Sequence, residues 1–163
     1  MNCGGDQEAV GDGRNCGRDP NLTQALAAHL VNASHVKTLV LSHNAISDAT
    51  LVCIVTALRA HGALVTLDLA GNQLRTLGAI EQLMTENGRM HQAPPITTLV
   101  LRDNRLSREG SVSFVRSLKF NLRLTSLDLR NCHLAESACI LLGPMLQVSG
   151  LPACPLRAVR VQY

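Results

Sequence analysis

Leu64-Val-Thr-Leu67-Asp-Leu69-Ala-Gly-Asn72-Gln-Leu74 decides how this chain is read, because its spacing returns three more times. Val36 to Ile46, Ile96 to Leu106 and Leu124 to Leu134 place an aliphatic residue first, then leucines three and five positions on. Asn44, Asn72, Asn104 and Cys132 follow at the ninth position of each copy, and Ile46, Leu74, Leu106 and Leu134 at the eleventh. A fifth, partial copy runs from Leu156 through Val159 and Val161 to Tyr163.

The copies begin at 36, 64, 96, 124 and 156, so the steps are 28, 32, 28 and 32 and the full period is a pair of copies. Each longer step carries an insertion with two prolines, Pro94 and Pro95 in the first and Pro152 and Pro155 in the second. Proline ends helices and favours loops.

The L-x-x-L-x-L-x-x-[N/C]-x-L pattern is identified as the leucine-rich-repeat signature. The long steps resemble the ribonuclease-inhibitor-like class, with its alternating repeat types and helices on the convex side. The resemblance covers about Asp19 to Tyr163. It implies an α/β horseshoe solenoid with a short parallel concave sheet. The expected domain is 19–163, four full repeats and a partial fifth behind an N-terminal capping helix. Residues 1–18, with Gly4, Gly5, Gly11, Gly13 and Gly17, are expected to form a flexible tail.

Periodicity supports this independently. Alternation in Thr38-Leu39-Val40-Leu41-Ser42 puts Leu39 and Leu41 on one face and their neighbours on the other. Parallel strands need a crossover, and helical spacing follows each strand segment. The apolar stripes are Leu51, Ile54, Val55, Leu58; Leu77, Ile80, Leu83, Met84; Val112, Phe114, Val115, Leu118; and Cys139, Leu141, Leu142, Met145. Pro144 is expected to end the last helix. Asp19-Pro20-Asn21 reads as a helix start, with Leu22, Leu26 and Leu30 behind it.

Composition agrees with an aliphatic repeat core. Of the 163 residues, 46% are hydrophobic but only 2% aromatic, so Leu, Val, Ile and Ala must fill the interior. The net charge of +3 is too small for the Lys/Arg stripe of a nucleic-acid binder. Six cysteines include no CxxC pair, so a zinc ribbon is not expected and reduced thiols in a cytoplasmic setting are. No apolar run is long enough to span a bilayer. Motifs for metal binding, phosphate cradling or serine nucleophiles are absent. Neither catalysis, a cofactor, a metal nor a small-molecule substrate is therefore expected.

The reading assigns Asn44, Asn72, Asn104 and Cys132 to a structural ladder that satisfies backbone groups where the chain leaves each strand. It assigns partner binding to the concave rows, with Val40, Asp68, Val100, Asp128 and Arg160 in one and Arg102 and Arg130 in the next. The open edge left by the last copy is a second expected contact, either for a partner or for further repeats. The expected role is a non-catalytic scaffold or adaptor in a larger protein assembly. Solenoids of this class occur in cytoskeletal and ciliary complexes. The alternative is a regulator of an enzyme such as a small GTPase. The Ran GTPase-activating proteins have such a solenoid, but their acidic C-terminal tail has no counterpart here.

Overall fold

The computed structural model of the chain describes residues 8–10, 20–32, 35–59, 62–85, 94–121, 123–147 and 158–161. Each leucine-centred triplet forms a short strand: β2 (Thr38–Val40), β3 (Thr66–Asp68), β4 (Thr98–Val100), β5 (Ser126–Asp128) and β6 (Ala158–Arg160). They pair in parallel and in chain order, with Leu39, Leu67, Leu99, Leu127 and Val159 opposite one another. Backbone pairing runs on past the strand ends. Leu41 N–H donates to the Asp68 carbonyl at 2.8 Å, Gly71 N–H to that of Arg102 at 2.9 Å, and Asp103 N–H to that of Arg130 at 2.9 Å.

A sixth described strand was not legible. Glu8–Val10 form β1, parallel to β2 with Ala9 opposite Leu39. This corrects the expected tail at residues 8–10; residues 1–7 and 11–18 lie outside the described part. The pairing uses backbone groups, which Glu-Ala-Val does not advertise as an aliphatic repeat would. The helix α1 (Pro20–Asn32) is accordingly the crossover from β1 to β2, one more β–α unit. The expected N-terminal capping helix is thus an internal crossover, with β1 beyond it.

The other crossovers are α2 (Asp48–Leu58), α3 (Gly78–Thr85), α4 (Arg108–Ser117) and α5 (Glu136–Gln147), each touching the next. Two open on a serine cap: Ser47 Oγ accepts from Thr50 N–H at 3.3 Å and Ser107 Oγ from Gly110 N–H at 3.0 Å. Such caps satisfy amides that the first turn leaves unpaired. Leu51, Ile54, Val55 and Leu58 of α2 are buried, as are Leu77, Ile80, Leu83 and Met84 at α3. Behind β4, Phe114, Val115 and Leu118 are buried and Val112 partly so; in α5 Leu142 is buried while Leu141 and Met145 are partly so. Together with the strand leucines they make one continuous core.

Pro144 does not end α5, which continues to Gln147. It removes one amide from the helix. Pro144 and Ile140 are both exposed, so water can reach the carbonyl that loses its partner. After α4, a 3₁₀ turn (Leu118–Phe120) leads to Asn121, whose Oδ1 accepts from Arg123 N–H at 2.9 Å and Leu124 N–H at 2.6 Å. That side chain turns the chain into β5. Helices are about 10 Å wide and strands lie about 4.8 Å apart, so stacking both bends the array with the sheet inside.

Candidate interaction surface

The outward side chains of consecutive strands fall into straight rows because the register never slips. Thr38, Thr66, Thr98, Ser126 and Ala158 form one row, and Val40, Asp68, Val100, Asp128 and Arg160 the next. Arg102 and Arg130 lie two residues beyond β4 and β5 positions Val100 and Asp128. Val40, Asp68 and Val100 are partly buried and Arg102 and Arg160 exposed.

Asp128 departs from the sequence reading. It was expected to face outward as a partner-binding residue, but its side chain is only 10% exposed. Arg130 Nε donates to its Oδ1 at 2.9 Å and Nη2 to its Oδ2 at 2.6 Å, while Arg130 N–H reaches Oδ1 at 3.2 Å. The arginine folds back across its own strand and covers the carboxylate. Those hydrogen bonds hold the Asp128 carboxyl below the usual carboxylate range, against the upward push of burial. Asp68 has a related local partner: its Oδ1 accepts from Ala70 N–H at 2.8 Å. The Val/Asp alternation thus has a structural side, since both aspartates take up the amide two residues on.

Below the rows lies the ladder. Asn72 Oδ1 accepts from the N–H of Asn44 and of Ile46, both at 3.0 Å. Its Nδ2 donates to the carbonyls of Leu41 at 3.0 Å and Leu69 at 2.9 Å. Asn104 repeats this one unit on, accepting from Leu74 N–H at 3.2 Å and donating to Leu69 and Leu101 at 2.9 and 2.7 Å. Cys132 donates its thiol to the Leu101 carbonyl at 3.1 Å. Burial is the main reason its pKa is pushed up to about 11, which keeps the thiol protonated at neutral pH.

One feature of the rim escaped the sequence reading. The residue before each ladder position, namely His43, Gly71, Asp103 and Asn131, has a left-handed backbone with φ between 53° and 63°. The signal was present: three of these four are Gly, Asp or Asn, the residues that tolerate that region. Here the rim is also tied across repeats. Asn131 Nδ2 donates to Asp103 Oδ1 at 3.0 Å, and the Asp48 carboxylate accepts from Arg75 N–H at 2.8 Å and Thr76 N–H at 3.2 Å. Among the described residues, no group of three or more His, Cys, Asp or Glu side chains could hold a metal ion. No described helix is long and apolar enough to cross a membrane.

This architecture is an α/β leucine-rich-repeat solenoid. Leucine-rich-repeat family models match residues 32–55 and 123–145, two separate copies of the unit. A search of curated proteins gives no match. Among solved structures, the chain is similar to the actin-binding site 2 of leiomodin-1, at 16% identity and a TM-score of 0.47. That alignment covers 96% of this chain and 70% of the other.

Proposed function

We propose that the chain is a non-catalytic protein-interaction module whose partner lies on the strand face. The supporting observation is the unbroken register from β2 to β6, which sets the outward side chains in rows wide enough for another polypeptide. In that reading Val40, Val100, Arg102, Arg130 and Arg160 make the contacts. Asp68 and Asp128 shape the surface and contribute less, because their carboxylates already have local partners. The alternation of long and short repeats supports reading it as a ribonuclease-inhibitor-like member of the repeat class. Its setting in this reading is a scaffold or adaptor in the cytoplasm, in a cytoskeletal or ciliary assembly.

The test is a comparison of faces. A photoreactive benzoylphenylalanine in place of Val100 should cross-link the partner in extracts of the native source. The same group in place of exposed Val52 on α2 should not. Cross-linking from the helix side alone overturns the proposal.

A further inference from the structure

The strand face is uneven in charge. Over β2 and β3 its outward residues are Thr38, Val40, Thr66 and Asp68; towards β4–β6 it carries Arg102, Arg130 and Arg160. In the sequence, Asp103 and Asp128 nearly offset those arginines. In the fold Asp128 and Arg130 take up each other, while Asp103 stays 39% exposed beside Arg102. Asp128 is covered by Arg130. Asp103 accepts from Asn131, and the Arg102 guanidinium lies 4.0 Å from it, beyond hydrogen-bonding range. Arg102 keeps 44% of its side chain exposed and Arg160 is exposed as well. The guanidiniums of Arg102 and Arg160 therefore stay open to solvent on this face, with Asp103 beside the first and Asp128 on the strand next to the second.

We propose that this half of the strand face binds an extended acidic segment of a partner protein, its carboxylates taken by Arg102 and Arg160. The proposal rests on the strand-face reading above and adds the chemistry of the partner. Arg102 and Arg160 stand two strand spacings apart across the sheet and two residues apart along it, about 12 Å in all. Two carboxylates four residues apart in an extended chain lie on the same face and span about 13 Å, close to that distance. Arginine forks match carboxylates in bidentate geometry. A nucleic acid fits less well, because the described residues of this face include no aromatic side chain on which bases could stack.

The full-length chain is titrated into a fluorescent peptide of about twelve residues alternating Glu and Ser, with Gln in place of Glu as control. Fluorescence anisotropy should show binding of the Glu peptide alone, weakening as salt rises. The double variant Arg102→Glu with Arg160→Glu should weaken it by at least roughly tenfold. Arg116→Glu, on the exposed side of α4, should leave it unchanged. The milder pair Arg102→Gln and Arg160→Gln should act in the same direction, and thermal melts by circular dichroism should show all variants folded. Equal binding of both peptides, indifference to the arginine variants, or displacement of the Glu peptide by oligothymidylate each overturns the proposal. If the partner still cross-links at position 100 while the Glu peptide does not bind, the acidic-segment proposal fails alone. Cross-linking only from position 52 removes the strand-face reading itself.

Discussion

Arg130 closes on Asp128 two residues earlier in its own strand exit, through side-chain hydrogen bonds of 2.9, 3.2 and 2.6 Å. Because that carboxyl is held below its usual range in the folded chain, the unfolded chain takes up a proton first as pH falls. The pair's contribution is complete above the ordinary carboxylate range and disappears as pH drops through the lowered value. Asp128→Asn should lower stability at neutral pH by about 1–2 kcal/mol. Urea unfolding at neutral pH and near pH 3 checks this: the gap should narrow at the acid end, and an equal gap at both counts against it.

Asn72 spends its amide on five backbone groups from two repeats. Asn72→Ala leaves those groups unpaired beneath a buried surface, where each orphan costs about 1–3 kcal/mol before relaxation. Water entering the gap returns part of that, so the expected loss is on the order of 2–4 kcal/mol. A loss below about 1 kcal/mol in denaturant titration means that the ladder is not what satisfies these groups.

Gly110 and Gly143 should respond in opposite directions to the same change. A Cβ at Gly110 would collide with the carbonyl of Arg75 in the neighbouring repeat, whereas one at Gly143 meets nothing within 4 Å. Alanine gains about 1 kcal/mol over glycine inside a helix. At Gly143 that gain should appear as a higher melting temperature. At Gly110 overpacking, typically 1–3 kcal/mol, outweighs it, and Gly110→Ala should melt lower than the parent. Calorimetry that finds both changes stabilising would falsify the close approach of α4 to the loop before α3.

The cysteines divide by accessibility. Cys53 is exposed on α2, while Cys132 is buried and its thiol is pushed up to about 11. Iodoacetamide at neutral pH should label Cys53 within the folded lifetime and spare Cys132 until denaturant is added. Peptide mass spectrometry reads the two sites separately.

Most of the architecture was written in the leucine spacing. A buried aliphatic residue every repeat fixes strand register, and Leu51, Ile54 and Leu58 fix the inward side of α2. What escaped depends on interactions that leave little imprint on side-chain type. β1 is held by backbone hydrogen bonding, so Glu8-Ala9-Val10 gave no sign of it. Pro144 was misread because its helix presents that residue to water, where a missing amide is tolerated. The candidate surface was half legible: strand alternation told which residues face outward. It could not tell that Arg130 would cover Asp128, since that depends on a rotamer and not on position.

The alternation of 28- and 32-residue steps has its counterpart in the joints between neighbours. At both 28-residue joints the amide entering the next unit takes a side-chain acceptor, Arg75 N–H from Asp48 at 2.8 Å and Ala135 N–H from Ser111 at 3.3 Å, whereas at the 32-residue joint between them Ser107 N–H donates to the backbone carbonyl of Arg75 at 2.8 Å. Odd and even joints therefore do not fit each other's sockets. Anyone lengthening or shortening this array should splice whole sixty-residue blocks; removing one repeat alone would bring together surfaces that have never met.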